Sequence, residues 1–233
     1  MNLSKPETTG NLKSCEPSPT IFDTLNAEQL ALVNASRFEV FFSAGETIFK
    51  QGSALTHIVY FKTGKAKMVL EDSNNQTILL KIVKQPDIAG GPGFYTDYRN
   101  YFSLIAIEDT RACFIEVDIF KKFVESNSKF ASSLIAFLNG GFIQLYDHIR
   151  SLTNKHMNGR LADTLLYLSD EIYNSPEFTT NLSRLDIANM SSMTKESVIR
   201  TLKIFKEDGI IDTKNDTFKI IKRNVLMDIS KKG

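Results

Sequence analysis

Glu196 and Arg200 stand four residues apart, about one helical turn, near the end of the stretch Leu182–Arg200, LSRLDIANMSSMTKESVIR. That spacing puts both side chains on one face of a helix. A guanidinium can grip guanine O6 and N7 with two hydrogen bonds, and a carboxylate can accept from cytosine N4. Lys195 adds a cation at the N-terminal end of the same face. Such a face suits the base edges of the DNA major groove, approached helix N-terminus first. It equally fits an ordinary solvated helix, and spacing alone leaves both readings open.

Two short helices and a tight turn are needed to present that face. Leu182, Leu185 and Ile187 supply apolar positions for the first helix, and Ala188 is small where a second helix would cross it. Ser191 and Ser192 interrupt the run, and Thr194 is a suitable N-cap for the second helix. Val198 and Leu202 turn the apolar side of that helix inward. Ile210 and Ile211 read as closing a third helix after a break at Asp208-Gly209. Phe218 to Ile221 then reads as a short strand, turned at Lys214-Asn215-Asp216 to pair near Ile211 as a two-stranded wing. Between residues 184 and 206, Arg184, Lys195, Arg200, Lys203 and Lys206 outnumber Asp186 and Glu196. This basic stripe suits phosphates and also suits water.

Met157-Asn158-Gly159-Arg160-Leu161-Ala162, Leu165-Leu166, the helix pair and Glu207-Asp208-Gly209-Ile210-Ile211 come in this order along the chain. Together they resemble the DNA-binding domain of the cyclic-AMP receptor protein/FNR (Crp/Fnr) family of bacterial transcription regulators. The family's recognition helix usually reads Ser/Thr-Arg-Glu-Thr/Ser-Val-x-Arg; here it is Thr194-Lys195-Glu196-Ser197-Val198-Ile199-Arg200, with Lys195 in place of Arg. Ser192 stands where the family commonly has Gly, and a left-handed backbone there costs a non-Gly residue roughly 1–2 kcal/mol. The resemblance implies base contacts from Glu196 and Arg200, a base or phosphate contact from Lys195, and phosphate contacts from Thr194, Ser197 and Lys203. Double-stranded DNA and RNA polymerase are the partners it implies.

The chain has 233 residues, a net charge of +1 and only two cysteines, Cys15 and Cys113. Its length allows one large or two modest domains. Overall charge says nothing about nucleic acid, and the cysteines make neither a disulfide framework nor a zinc site. No apolar run approaches the ~20 residues of a spanning helix, and no basic start with an apolar core marks a signal peptide. The cytoplasm is the expected compartment.

Residues 1–20 are polar, carry Pro6, Gly10, Pro17 and Pro19, and read as a mobile leader. Residues 21–130 read as an effector domain. A short helix is expected over Ile21–Ala35, with Asn26 a candidate cap. Runs at 40–42, 47–49, 58–61, 67–70, 78–83, 104–107 and 112–115 then alternate with turn signals at Gly45, Gly52, Gly64, Ser73-Asn74-Asn75 and Asp87. Such spacing predicts a β-sandwich or jelly roll. Ala44-Gly45-Glu46-x-Ile48-Phe49-x-Gln51-Gly52 and Ile58-Val59-Tyr60-Phe61-x-x-Gly64 resemble the cyclic-nucleotide-binding domain that opens the same family. The expected fold class is therefore α+β: a jelly roll, a long dimerisation helix and a winged helix-turn-helix.

A helix is expected from Phe120 to Phe130, and a long dimerisation helix over 131–154. Its seam is Ile135, Leu138, Phe142, Leu145, Ile149 and Leu152, at alternating spacings of three and four. Gly140-Gly141 interrupts it, either for a close helix crossing or as a hinge. Residues 155–233 form the DNA-binding domain. Asn154–Gly159 is its joint, Arg160–Ile172 a helix closed by Asn174-Ser175-Pro176, and Asn224–Gly233 a frayed tail.

The family's cyclic-nucleotide binders use a Gly-Glu pair for the ribose and a subsequent Arg for the phosphate. Here Gly91 fills the Glu position, and Tyr101-Phe102-Ser103 occupies the place of Arg-Ser. Hydrogen bonds to charged groups are worth ~1.5–3 kcal/mol each, so cyclic AMP is not the expected effector. Gly90, Gly91 and Gly93 suit either an anion approached by backbone N–H groups or plain turns. Gly90, Gly91, Phe102, Ser103 and Tyr146 are the effector-pocket candidates. No metal is expected: iron–sulfur sensors of this family need four cysteines and this chain has two, and His57 is the only histidine among the strands. No nucleophile–base set is suggested, so no enzyme is expected. The expected function is a homodimeric regulator, activator or repressor, on a palindromic operator, gated by an effector other than cyclic AMP. The alternatives are an interaction module without an operator and a constitutive regulator with an empty pocket.

Overall fold

The computed structural model describes residues 21–74 and 76–233; the expected leader over 1–20 lies outside them. Contacts divide the chain into two units: residues up to Glu71 with Ile82–Ile143, and Asp72–Lys81 with Gln144–Gly233.

In the first unit, Gly45, Gly52 and Gly64 all adopt positive φ, at 88°, 81° and 81°. Reversals of this kind favour glycine. At Gly64 a side chain would also come within 2.6 Å of the Asp109 carbonyl oxygen. The reversals separate β1 (Phe38–Phe42), β2 (Thr47–Phe49), β3 (His57–Thr63) and β4 (Lys65–Glu71). After them come β5 (Thr77–Lys84), whose residues 77–81 are grouped with the second unit, β6 (Ile88–Ala89), β7 (Ser103–Ala106) and β8 (Thr110–Glu116). They form two four-stranded sheets, β1-β8-β3-β6 and β2-β7-β4-β5. Seven strands match the expected runs. The eighth, β6, has two residues, too few to show a period.

Tyr60 pairs with Cys113 and Ile58 with Ile115, so these four share one face of their sheet. All are buried, in one core with Phe22, Leu30, Val33, Phe120, Phe123 and Phe130. The helices that cover this face are α1 (Ala27–Ser36), α2 (Val117–Ser126) and the start of α3 (Ser128–Asn154). Asn26 caps α1 as expected: its side chain accepts the Gln29 N–H at 2.8 Å, and Gln29 answers at the Asn26 N–H. A separate 3-10 turn covers Ile21–Thr24.

The expected helix over Phe120–Phe130 is corrected. Asn127 parts α2 from α3, with its Oδ1 accepting from the N–H groups of Lys129 and Phe130, both at 3.1 Å. Its Nδ2 donates to the Thr24 carbonyl and to Gln29 Oε1. A polar side chain that caps one helix and anchors a distant turn stops the run that apolar spacing alone would carry through. Gly140 and Gly141 lie inside α3 with open space where a side chain would stand.

The second unit contains α4 (Met157–Tyr167), β9 (Glu177–Thr179), α5 (Arg184–Ser191), α6 (Lys195–Glu207), β10 (Ile211–Lys214), β11 (Thr217–Ile220) and α7 (Arg223–Lys232). The helix expected over Arg160–Ile172 begins three residues early and ends in a π-helical turn, Leu168–Ile172. No third helix closes at Ile210-Ile211. The second helix runs unbroken to Glu207, Gly209 turns at φ 62°, and Ile211 opens a strand. The wing is present, with β10 against β11, and β9 adds a third strand. Phe178 faces Phe218 across that added pair, ring centroids 5.6 Å apart.

Asn224–Gly233 is not a frayed tail. Residues 224–232 lie in α7, which packs on α4, with Leu226 fully buried. Gly159 permits the approach: a Cβ there would sit 2.7 Å from Gly233 Cα. Arg223 secures the other end with two hydrogen bonds to Asp170, at 2.6 and 2.7 Å. Leu226→Ala is therefore expected to cost about 2–5 kcal/mol, read as a lowered urea midpoint for the second unit. A midpoint unchanged from wild type would mean that α7 does not dock.

Candidate nucleic-acid interface

Ser183 caps α5 in a reciprocal box: its hydroxyl accepts the Asp186 N–H at 3.1 Å, and Asp186 Oδ2 accepts the Ser183 N–H at 2.9 Å. Leu182 therefore precedes the helix, though it is buried, and Leu185 points to solvent instead of inward. Ile187 and Ala188 are buried as the spacing predicts.

Ser192 adopts the left-handed conformation, φ 49° and ψ 52°. Met193 N–H reaches back to the Ala188 carbonyl at 3.0 Å, the closing bond of a Schellman-type helix end. The turn keeps its left-handed geometry although a serine occupies it. Ser192→Gly should relieve part of the roughly 1–2 kcal/mol steric cost, less the extra chain entropy of glycine. A gain of about 0.5–1 kcal/mol in urea unfolding is expected; a loss would place the strain elsewhere.

Thr194 caps α6, accepting the Ser197 N–H at 3.1 Å and meeting the Ser197 hydroxyl at 3.0 Å. Val198, Thr201, Leu202 and Phe205 form the buried side. Lys195, Glu196, Arg200 and Lys203 are exposed, and Ser197 is half-buried. Among the described residues no ion pair or hydrogen bond ties the side chains of Lys195, Glu196 or Arg200. Lys203 lies 3.7 Å from Glu207, both well exposed.

The basic stripe narrows in three dimensions. Arg184 lies 4.6 Å over the Phe218 ring and donates to the Asn215 carbonyl at 2.7 Å, pinning α5 to the wing turn. Lys206 is tied to Asp212 and to the Thr213 carbonyl. The Lys206 ammonium, by hydrogen bond and charge, holds the Asp212 carboxyl below the usual range. Lys195, Arg200 and Lys203 remain as the cations of the free face. A capped helix with a buried rear, a charged front and an adjoining wing has the form of a reading head for duplex DNA.

The chain matches the Crp-like helix-turn-helix domain over residues 159–229 and the cyclic nucleotide-binding domain over residues 39–127. Together the two matches span more than half of its length. It belongs to the Crp/Fnr family. It is similar to electron transport regulator A of Shewanella oneidensis, 24% identical over 188 residues, 78% of this chain and 74% of that protein. It also resembles the fumarate and nitrate reduction regulatory protein of Vibrio cholerae, 23% identical over 192 residues, 80% and 76% of the two chains. Among solved structures, FixK2 from Bradyrhizobium japonicum shares the fold with a TM-score of 0.76, at 20% identity, over 83% of this chain and 96% of that one. The protein is a DNA-binding transcription regulator of the Crp/Fnr type.

In this regulator's first unit, Gly90 takes φ 132°, and a Cβ there would stand 2.9 Å from Ile58 Cδ1. Gly93 packs against the backbone of Arg99, and the Gly91 carbonyl accepts the Phe94 N–H at 2.9 Å, as turn glycines do. Phe102 is buried, its ring 5.6 Å from Phe49. Ser103 is buried with its hydroxyl accepting the Gln51 N–H at 2.9 Å. Arg99 donates to the Gly52 carbonyl at 2.9 Å. The two glycines come after β6 in one sheet, and Phe102 and Ser103 enter β7 in the other. Tyr146, on α3, is 65% exposed and belongs to the second unit. A cleft of about 320 Å³ opens elsewhere in the first unit, lined by Pro86, Ile88, Ala136 and Phe137 among others. None of the five pocket candidates lies on it. Among the described residues no group of three His, Cys, Asp or Glu is placed to hold a metal ion, and no helix is long and apolar enough to cross a membrane.

Residues of the joint missed by sequence reasoning gather around Asp163, on α4. It accepts from Ser151 and Ser230 hydroxyls and from Lys155 Nζ, the last at 2.7 and 2.8 Å. Arg160 donates to the Leu152 and Lys155 carbonyls, both at 3.4 Å, and to the Ser192 carbonyl at 3.1 Å. His148 Nε2 is buried with no partner among the described residues. Burial lowers the His148 pKa below the ordinary value, against a smaller opposing pull from Asp163. Ser230 stands 67 positions along the chain from Asp163, and no local pattern announces a contact at that separation.

Proposed function

We propose that this regulator acts in the cytoplasm as a homodimer on a palindromic operator, with RNA polymerase as its further partner. The observation that carries the reading is the free charged face of α6. Glu196 and Arg200 read bases, Lys195 meets a base or a phosphate, and Thr194, Ser197 and Lys203 hold phosphates. Along α3, Ile135, Leu138, Phe142, Leu145 and Ile149 are exposed, and Leu152 is half-buried. An apolar stripe at heptad spacing supports pairing with a second copy. Two-fold pairing presents two α6 helices about one turn of DNA apart, ~34–36 Å.

The effector of the jelly-roll domain is an agent other than cyclic AMP. Gly91 offers no carboxylate, Tyr101-Phe102-Ser103 offers no cation, and the Ser103 hydroxyl is already engaged. Calorimetry with cyclic AMP should give no saturable heat in the micromolar range; such heat would sink this part of the reading. A second reading, a constitutive regulator with an empty pocket, draws on the burial of Phe102 and Ser103. Mass spectrometry of protein isolated from its host separates the two, since a bound small molecule excludes the empty pocket. For the whole reading the test is a gel shift with genomic fragments at two salt concentrations. A retarded fragment that survives competitor DNA supports it, and uniform weak retardation removes it.

A further inference from the structure

Ile199 is 48% exposed on α6, yet it plays no part in the buried side formed by Val198, Thr201, Leu202 and Phe205. At about 100° per residue, Ile199 stands about 60° around the helix from Glu196 and about 40° from Lys203. Its chain neighbour is Arg200. It is thus an apolar side chain set among the charged groups that face away from the protein. A β-branched side chain in a helix is nearly confined to one χ1 rotamer, so Ile199 presents a stiff contact surface.

Resting on the reading that α6 enters the major groove, we infer that Ile199 selects a thymine in each half-site by packing on its 5-methyl group. Thymine is the only base that offers a methyl group in the major groove of unmodified DNA. Isoleucine carries no donor or acceptor. Against cytosine, adenine or guanine it would strip water from amino and carbonyl groups and return no hydrogen bond. The same side chain therefore favours T·A and disfavours the other pairs. Glu196 and Arg200 supply hydrogen bonds to neighbouring bases, and Ile199 adds the apolar element they lack.

The test begins with operators selected from random duplex DNA by the wild-type protein. Each half-site should contain a constant T·A pair, which is then changed to deoxyuridine. That change removes only the methyl group and leaves pairing intact. Wild-type affinity should fall about fourfold per half-site, about fifteenfold for both, from ~0.8 kcal/mol per buried carbon at 1.4 kcal/mol per decade. Ile199→Ala keeps a good helix former in place. It should bind thymine and uracil operators equally and melt like wild type. Selection repeated with Ile199→Ser should lose the constant T·A pair. Two results overturn the inference: wild-type indifference to uracil at every thymine of the half-site, or an Ile199→Ala protein that still distinguishes the two DNAs. Arg200→Ala, run alongside, separates the levels. If Arg200→Ala loses operator affinity while uracil has no effect, only the assignment of Ile199 falls. If no operator is selected, or Arg200→Ala binds as wild type, the reading of α6 falls and this inference with it.

Discussion

Arg200→Ala should weaken binding to a selected operator by about 1–3 kcal/mol per half-site, roughly five- to 140-fold each, while leaving affinity for random DNA nearly unchanged. The guanidinium is exposed on α6, and no protein group among the described residues holds it. Its loss therefore removes an interaction made only with DNA and costs the fold little. Base preference at one position of each half-site should relax with it. Lys203→Ala is the control with the opposite signature. It should weaken binding to all sequences alike and make the salt dependence shallower by about one unit of slope per site. Fluorescence anisotropy at several salt concentrations distinguishes the two. An Arg200→Ala protein with unaltered base preference would mean that another surface reads the operator.

Phe142→Glu should convert the protein to a monomer of 26.3 kDa, read by sedimentation, with both units still folded by circular dichroism. Phe142 is 49% exposed on α3, so a charge there is tolerated by the isolated chain. Within a paired seam it would be buried against its symmetry mate, where two carboxylates cannot be desolvated cheaply. Operator affinity should fall by about a hundredfold or more, because the second half-site is reached at high effective concentration only when two heads are joined. A protein that stays dimeric with Glu at 142 would show that α3 is not the interface. The two variants are complementary: Arg200→Ala changes reading and not mass, and Phe142→Glu changes mass and through it reading.

The reading head is legible in the sequence because its residues are local. Thr194 caps three residues before the N–H it serves, and Val198 and Leu202 declare the buried side within one turn. The first four strands are legible because Gly45, Gly52 and Gly64, at positive φ, cut them. What stays hidden depends on distance. Asn127 ends α2 by reaching Thr24 and Gln29, which lie 103 and 98 positions away. The role of Arg160 becomes visible only once α5 brings the Ser192 carbonyl to it. Two further features carry a local signal. Ser183-x-x-Asp186 is a capping box, and it places Leu182 outside α5. Leu226 and Ile229, three apart, with Lys231 and Lys232 at the end, carry the marks of a helix. Terminal position alone does not make such a segment fray.

Gly140 and Gly141 sit in an unbroken stretch of α3, with nothing within 4 Å where side chains would be. Alanine would fit at both and stiffen the helix by ~1 kcal/mol each. The rod is consequently weakest at mid-span, as a drive shaft is at a flexible coupling. Its backbone amides around 140 should trade deuterium sooner than those a turn or two to either side.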